Sequence, residues 1–456
     1  MARGRKKETL TPEERLQAAL VPENWCWVRL GLLLQSSKEK TDEFSDANLK
    51  YVGLEHMQKD TGIVAYDSAT GVKSLKNVFH PQQILYGKLR PYLNKHDVAT
   101  FDGVCSTDIL VFNATSLCTP EFLNFFLDQD TFIEYAVSNS KGINLPRISE
   151  SAVLNAKCPL PPLTEQQRIV DRIESLFAKL DEAKQKAQDA LDSFETRKAA
   201  ILHKAFTGEL TERWRKKHGV GMESWETRTS TQLFEYVTSG SRGWAKYYAD
   251  NGDIFIRMGN LDHGTIELDL SDIQRVNLPT QTEGQRTKLQ KNDILISITA
   301  DIGMVGLVRE IKQNAYINQH IALARPTATD DAEFLAWYLV SDVGLQQMRN
   351  KQRGATKIGL GLDDIRSLEL LIPMREEQAE VVQILDDLLA KEQQAREAAE
   401  GVLEQIDLIK KAILARAFRG ELGTNDPGEE SAVEFIKSVL EVEPNPFQFQ
   451  EKLKKS

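Results

Sequence analysis

The chain contains the stretch Ala200-Ile201-Leu202-His203-Lys204-Ala205-Phe206-Thr207-Gly208-Glu209-Leu210 and repeats it as Ala412-Ile413-Leu414-Ala415-Arg416-Ala417-Phe418-Arg419-Gly420-Glu421-Leu422. Eight of these eleven positions are identical, at an offset of 212 residues. Further matches at the same offset lie upstream: Pro161 with Pro373, Glu165-Gln166 with Glu377-Gln378, and Lys198 with Lys410. This period is far longer than that of a solenoid repeat. It predicts two copies of a whole domain, each followed by a helix.

An apolar stripe ahead of each repeated stretch predicts a long helix. Over residues 164–206 its spacing mostly alternates four and three residues, as in the a/d seam of a coiled coil. The stripe comprises Ile169, Ile173, Leu176, Leu180, Ala183, Ala187, Ala190, Phe194, Ile201 and Ala205. The second copy, over about residues 376–418, carries Val381, Leu385, Leu388, Ala395, Ala399, Leu403, Ile406, Ile413 and Ala417. Two helices with matching stripes are expected to pack on each other.

The region before each helix predicts an α+β domain. Strand-like runs occur at 84–90, 108–112, 253–257, 293–298 and 321–324, and short helices are predicted at 120–127 and 331–341. The predicted organisation is a basic N-terminal arm (1–20), a first domain (21–160), a central long helix (161–212), a second domain (213–372), a C-terminal long helix (373–422) and an acidic tail (423–456) with a short helix at 431–441. The two domains resemble each other far less than the helices do.

The charge is concentrated in the last part of the chain. The net charge is −10, but the residues from Arg375 onward hold 18 acidic and 11 basic side chains, which leaves −3 for the first 374 residues. Basic faces are therefore compatible with the acidic total. No apolar run of about 18 residues occurs, so no membrane partner is predicted. The four scattered cysteines are typical of free thiols in a reducing cytoplasm.

The motifs of catalysis are missing from the sequence. Neither G-x-x-x-x-G-K-[ST] nor H-E-x-x-H occurs, and the seven histidines do not cluster at ligand spacing. Residues 359–364 begin like G-x-G-x-x-G but carry Asp364 in place of the third glycine. We therefore predict no catalytic, cofactor-binding or metal-binding residue, although a site assembled only in three dimensions stays open.

Four polar loops combine cations with aromatic or amide side chains and are the candidate DNA contacts. Arginine can pair with guanine, lysine can bind phosphate, and aromatic rings can pack on sugar or base. The first domain offers, from 86–95, Lys88, Arg90, Tyr92 and Lys95, and, from 141–147, Lys141, Asn144 and Arg147. The second domain offers, from 239–248, Ser241, Arg242, Trp244, Lys246, Tyr247 and Tyr248, and, from 353–357, Arg353, Thr356 and Lys357. The alternative is that the aromatic rings pack on their own domain and the short basic loops are simply solvated.

The arrangement of two domains, two long helices and repeated motifs resembles the specificity (S) subunit of type I restriction–modification systems. The resemblance is carried by Pro161-Pro162-Leu163-Thr164-Glu165-Gln166, by the two Gly-Glu-Leu helix ends, and by residues 24–31 and 84–94. The second copy departs from it at Met374-Arg375-Glu376. The resemblance implies two target recognition domains that each read half of a split, asymmetric site in double-stranded DNA. It also implies an antiparallel coiled coil of the two helices and a pseudo-two-fold internal repeat.

The resemblance further implies partners that perform the chemistry. Two modification (M) subunits would bind S-adenosylmethionine and methylate adenine N6, and two restriction (R) subunits would use ATP and Mg for translocation and cleavage. This chain would bind no cofactor, would be non-catalytic, and would act in phage defence in the cytoplasm. Two other interpretations stay open: a coiled-coil adaptor whose domains bind protein, and a methyltransferase or nuclease fused to its own recognition domain.

Overall fold

The computed structural model describes residues 11–12, 20–44, 46, 48–59, 61–279, 285–353 and 359–442. The chain packs as two compact units, and each contains one of the predicted domains together with parts of both long helices. Unit 1 comprises Met1–Ala187 and Gly401–Ser456, and unit 2 comprises Gln188–Glu400. Most of the predicted arm and the end of the predicted tail lie outside the described residues. Within the described part, no helix is both long and apolar enough to cross a membrane.

Unit 1 contains two larger sheets and three short ribbons. The four-stranded, antiparallel sheet has the order His96–Val98, Ile84–Gly87, Ile109–Ala114 and Leu34–Ser36. The five-stranded sheet has the order Lys40–Thr41, Lys76–Phe79, Gly103–Cys105, Lys50–Val52 and Asp67–Ser68, with one parallel pair. The ribbons pair Cys26–Arg29 with Lys157–Leu160, Ser140–Lys141 with Arg147–Ile148, and Met57–Gln58 with Gly62–Ile63. The shorter helices are Leu30–Leu33, Pro120–Leu127, Asp130–Ser138 and Glu150–Asn155, with 3-10 turns at Leu54–His56 and Pro91–Leu93.

Unit 2 also contains a four-stranded antiparallel sheet, and we call this sheet of each unit its central sheet. The second sheet differs between the units. The antiparallel sheet has the order Phe234–Ser239, Ile321–Pro326, Ile294–Ser297 and Val305–Leu307. The other sheet has the order Tyr248–Ala249, Gln274–Val276, Asp253–Ile256 and Ala315–Ile317, and Glu226–Thr229 pairs with Glu369–Ile372. The shorter helices are Glu212–His218, Ser230–Leu233, Ala332–Val340, Asp342–Asn350 and Leu362–Arg366. The 3-10 turns are Met222–Ser224, Trp244–Tyr247, Met258–Asn260 and Gln285–Thr287. The predicted α+β class, with two domains and long helices, is confirmed.

Local sequence explains where the central elements begin and end. The strand Ile84–Gly87 is buried on both faces, as its continuous apolar character predicts. It ends earlier than the predicted residue 90, because Arg90 has a left-handed φ of 53° directly before a 3-10 turn. The helix Pro120–Leu127 starts as predicted, since Thr119 accepts a hydrogen bond from the Phe122 amide and Pro120 occupies the first turn.

The long helices are Leu163–Asp192, followed by Phe194–Phe206, and Arg375–Ala417; the tail adds the helix Ala432–Val442. The prediction of one unbroken first helix is wrong at Ser193. The Ser193 hydroxyl donates to the Ala190 carbonyl at 3.0 Å, and the Arg197 guanidinium donates to that carbonyl at 3.2 Å. Such side-chain bonds compete with the helical ladder and bend helices. Beside this break Ala190, predicted on the apolar stripe, is exposed, and Leu191 is half-buried.

Within unit 1 the long helices run in opposite directions. Ile169, near the start of the first helix, lies in the same buried cluster as Phe418, at the end of the second. Twelve residues further on, Asp181 Oδ1 lies 2.6 Å from Lys410 Nζ, which precedes Phe418. The numbering therefore rises along one helix as it falls along the other.

The long helices also run in opposite directions within unit 2, which contains the end of the first helix and the start of the second. Leu202 and Leu385 share its core, and Arg197 Nε lies 2.8 Å from Glu392 Oε2. Ala395, predicted on the apolar stripe, is exposed. The antiparallel course is thus observed inside each unit. Knobs-into-holes packing along the whole length, which defines a coiled coil, stays a prediction.

The first long helix begins with a buried carboxylate that ties unit 1 together. Glu165 is fully buried and accepts a hydrogen bond from Trp25 Nε1 at 2.8 Å. It also accepts from Asn425 Nδ2 at 2.9 Å and from Thr424 Oγ1 at 3.2 Å, both in the tail. Buried charge is stable only when it is hydrogen-bonded or paired. The repeated Glu-Gln pair therefore has a structural role in unit 1. We call Glu165 and its three donors the first carboxylate latch.

The second long helix begins with the equivalent carboxylate, the second carboxylate latch. Glu377 is fully buried, and its Oε1 accepts hydrogen bonds from Thr211 Oγ1 and from Arg215 Nη1, each at 2.6 Å. Its Oε2 and the indole N–H of Trp225 are buried and make no hydrogen bond among the described residues. Here the charge is balanced by a guanidinium inside the same unit.

Candidate nucleic-acid interface

Unit 1 brings two of the predicted loops together into one surface. The Arg90 amide donates to the Pro146 carbonyl at 2.7 Å, and the Ile148 amide donates to the Lys88 carbonyl at 3.0 Å. Leu89 and Arg147 also form a β-bridge. The loop 88–92 and the hairpin 140–148 therefore form one continuous surface, which we call the first cationic face.

The first cationic face carries more positive than negative charge. Asp108 Oδ1 lies 3.6 Å from Lys88 Nζ and 3.5 Å from Arg147 Nε, so one carboxylate serves two cations. Arg90 and Lys141 are exposed, and their side chains form no hydrogen bond or ion pair with another described residue. Four cations against one carboxylate produce a local positive potential suited to phosphate.

The remaining predicted residues of unit 1 differ in their availability. Tyr92 and Asn144 are exposed and can reach a ligand. Lys95, however, is half-buried, and its Nζ donates to the Leu54 carbonyl at 2.7 Å. A contact between Lys95 and DNA stays a prediction. The lysine is used to hold the loop after the central strand.

In unit 2 two of the predicted residues, Trp244 and Ser241, are buried in their own domain. Trp244 is 4% exposed, because its ring stacks on Phe255 at a centroid distance of 5.4 Å and meets Tyr316 edge-on at 5.6 Å. Ser241 is buried beside a β-bridge to Asn318. Both residues therefore build the domain, as the alternative interpretation held for the aromatic rings of this loop.

The other side chains of the same loop form a second cationic face. Arg242, Lys246 and Tyr248 are exposed, and Tyr247 is half-buried. Lys246 Nζ lies 4.9 Å from the Tyr247 ring centroid, within the range of a cation–π contact. The buried Trp244 supports this surface from below. Cations and aromatic edges are thus presented together on one short loop.

The loop at 353–357 is described only at its first residue. The Arg353 side chain is 80% exposed, yet its Nη2 donates to Asp364 Oδ1 at 2.7 Å. Its charge is therefore balanced by a carboxylate of its own domain. Thr356 and Lys357 lie outside the described residues.

Sequence reasoning missed a cation–aromatic cluster on the five-stranded sheet of unit 1. Lys50 Nζ lies 4.5 Å from the Tyr66 ring centroid and 4.4 Å from that of Phe101. Lys76 Nζ lies 5.6 Å from the centroid of Tyr51. These residues are spread over positions 50 to 101 of the chain. No local signal groups them; only the strand pairing does.

A polar pocket of unit 2 was also missed. It has a volume of about 480 Å³ and is lined by Glu235, Tyr236, Arg286, Lys288, Gln290 and Arg325. Arg325 is paired with Asp293 at 2.7 Å, so its charge is partly balanced. The exposed Arg286 and Lys288 supply the positive character of the pocket. A basic pair at i and i+2 was the available signal.

Metal ligands and reactive thiols would indicate catalytic chemistry among the described residues. Among them, no group of three or more His, Cys, Asp or Glu is placed to hold a metal. Burial raises the pKa of the Cys105 thiol to about 12, and it also raises the pKa values of Cys118 and Cys158. Such thiols are protonated near neutral pH and are poor nucleophiles. Charge and ring stacking are the properties that the surfaces present.

The fold and these surfaces define a class of protein with two recognition modules on a shared pair of long helices. The chain belongs to the type I restriction modification DNA specificity domain family, whose sequence model matches residues 22–191 and 222–400. It is 33% identical over 216 residues to the EcoDI specificity subunit of Escherichia coli, covering 47% of this chain and 48% of that protein. It is 26% identical over 304 residues to the Escherichia coli EcoBI specificity subunit, covering 62% of each.

A solved structure shares the fold. The HsdS subunit from Thermoanaerobacter tengcongensis matches with a TM-score of 0.65 and 21% identity, over 88% of this chain and 98% of that chain. The alignments with the two relatives, by contrast, span only about half to three fifths of those proteins' length. The family assignment confirms the resemblance seen in the sequence.

Proposed function

We propose that this chain is the non-catalytic specificity subunit of a type I restriction–modification complex. Each unit reads one half of a bipartite, asymmetric site in double-stranded DNA. The observation that carries this proposal is that each unit has its own exposed cationic face, built from different residues at different positions. Arg90 and Lys141 contribute to one face, and Arg242 and Lys246 to the other.

The proposed partners perform the chemistry. Two M subunits bind S-adenosylmethionine and methylate adenine N6, and two R subunits use ATP and Mg to translocate and cleave DNA. The complex acts in the cytoplasm against phage DNA. The names of the relatives, which are specificity subunits of type I restriction enzymes, support this division. This chain directs the partners to a sequence and contributes no cofactor.

A methylation map tests the two-reader proposal. Cells that carry the complex are compared with cells that carry Arg242→Ala/Lys246→Ala or Arg90→Ala/Lys141→Ala, and N6-methyladenine is mapped across the genome. Each double variant is expected to relax only one half-site, because each face lies in one unit. Replacement of residues 240–248 with a loop from another family member is likewise expected to alter one half-site. A change in both half-sites contradicts the proposal.

Salt dependence separates DNA binding from the adaptor interpretation. Affinity for duplex DNA is measured by fluorescence anisotropy at several salt concentrations, and each phosphate contact contributes a slope of about −0.9 in log K against log salt. Lys141→Ala is expected to reduce the magnitude of the slope by about 0.9, which is the contribution of one phosphate contact. Lys186→Ala is the control, since this exposed lysine pairs with Glu182 on the long helix. A protein-binding adaptor would show no steep slope.

We also propose that the long helices set the number of unread base pairs between the half-sites. One additional helical turn in both helices adds about 5.4 Å, which corresponds to between one and two base pairs. The methylation map is expected to show a longer spacer with both half-sites unchanged. An unchanged spacer contradicts this role of the helices.

A further inference from the structure

The hairpin of the first cationic face ends in an unusual apolar tip. Ile143 is 100% exposed and Leu145 is 47% exposed, and they lie two residues apart. Single exposed apolar residues are common on protein surfaces. Here two such side chains lie within three consecutive residues of one short loop. A partner that covered them would remove their apolar area from water.

The backbone holds this tip in a defined shape. Ser140–Lys141 pairs with Arg147–Ile148, so the hairpin is closed at its base. Gly142 has φ of +105°, and a Cβ at this position would lie 3.1 Å from the Leu145 carbonyl oxygen. A side chain is therefore disfavoured there, and the glycine permits the tight turn. The contact between the Arg90 amide and the Pro146 carbonyl anchors the other side.

The surroundings of the tip fit a polyanion. Lys141 and Arg147 flank it at the base of the hairpin, and Arg90 follows on the adjacent loop. Asp108 lies 3.5 Å from Arg147 and 3.6 Å from Lys88, and it balances only part of the charge. An apolar tip among cations matches DNA, where phosphates lie on either side of stacked, apolar base faces. Wedges of Ile or Leu unstack base steps in this way and kink the duplex.

We propose that Ile143 and Leu145 form an apolar wedge that enters duplex DNA and unstacks one base step in the half-site read by unit 1. The flanking cations bind the phosphates on both sides of the step. The wedge contributes specificity without hydrogen bonds, because pyrimidine–purine steps open at the lowest energetic cost. The half-site of unit 1 is therefore expected to contain such a step. This inference rests on the proposed DNA-reading function and assigns it a mechanism.

The test uses the full chain and a duplex of the sequence found by the methylation map. The fluorescent base 2-aminopurine is placed at successive positions, and its emission rises where stacking is lost. The wild-type chain is expected to raise emission at one step in the half-site of unit 1. Ile143→Ser/Leu145→Ser is expected to abolish this rise and to weaken site-specific binding on the order of tenfold. The salt slope is expected to persist, because the cations are unchanged.

Two further variants make the result specific. Leu440→Ser removes a similarly exposed leucine from the tail helix of the same unit and is expected to leave emission unchanged. Ile143→Leu keeps the apolar character and is expected to retain the rise. The wedge is refuted if the wild-type chain binds the site with a steep salt slope but raises emission nowhere, or if the double serine variant keeps the rise. Absence of any salt-dependent binding by the wild-type chain would instead refute the DNA-reading function, and the wedge with it.

Discussion

The two carboxylate latches occupy the same place in the repeat but are stabilised differently. Glu165 is held by neutral donors, including the indole of Trp25 at 2.8 Å. Glu377 is held by a guanidinium, that of Arg215, at 2.6 Å, while the indole N–H of Trp225 has no partner among the described residues. The buried carboxylate has thus been kept while its partners have been exchanged. Position in the fold is duplicated, and local chemistry is not.

The loops after the central strands repeat this lesson on the surface. Arg90 and Ala300 both have left-handed backbones, with φ of 53° and 65°. The Lys88 carbonyl accepts a hydrogen bond from the Ile148 amide at 3.0 Å, and the Ile298 carbonyl accepts one from the Leu360 amide at 2.9 Å. At these positions unit 1 has Lys88 and Arg90, whereas unit 2 has the buried Ile298 and the exposed Ala300. The exposed Arg242 and Lys246 of unit 2 lie on another loop.

The largest effect is expected at Arg215. Arg215→Ala leaves Glu377 buried without its cation, and breaking a buried pair in this way costs about 3–5 kcal/mol. Hydrogen exchange measured by mass spectrometry should show faster opening in unit 2. Arg213→Ala, on the exposed side of the same short helix, is the control. If unit 1 opens as much as unit 2, the latches are not independent.

The second-largest effect is expected from a matched pair of tryptophan substitutions, one in each carboxylate latch. Trp25→Phe removes the hydrogen bond to Glu165, and bonds to charged groups contribute about 1.5–3 kcal/mol. Trp225→Phe removes a similar volume but no hydrogen bond among the described residues. The first variant should therefore lose more stability in thermal unfolding than the second. Equal losses would show that volume, and not the latch, determines the cost.

The smallest effect concerns the tail that completes the first latch. Arg168 Nη2 lies 2.7 Å from Glu429 Oε2, and this hydrogen bond lowers the pKa of Glu429. A partly exposed pair of this kind contributes about 0.2–1 kcal/mol. Because the folded pKa lies below the unfolded value of about 4.3, the contribution is present above that pH and is lost as the pH falls through the folded pKa.

The measurement is the melting temperature of Glu429→Gln and wild-type chains between pH 7 and pH 3. The difference between them is expected to shrink as the pH falls below the unfolded value of about 4.3 and through the lower folded pKa. Glu430→Gln is the control, since the Glu430 side chain is exposed and pairs with no other described residue. A difference that persists at the acidic end would assign the effect to packing and not to charge.

The sequence predicted features that depend on local pattern. The second long helix, the short helix Pro120–Leu127 and the central strands are encoded by periodicity, caps and apolar runs. The break at Ser193 was missed, because a serine–carbonyl bond leaves no periodic trace. The burial of Trp244 was missed for another reason: it depends on the pairing of strands, which brings the distant Tyr316 and the nearer Phe255 against its ring. Composition marks a loop as cationic and aromatic, but only the sheet beneath it decides which ring is exposed.

The first carboxylate latch has a consequence for biosynthesis. Unit 2 is a single continuous segment, whereas unit 1 needs both the first 187 residues and those after position 400. Domains ordinarily fold in the order in which they leave the ribosome. Here Glu165 is made early but must wait for Thr424 and Asn425, so the unit that is translated first is the last to be completed.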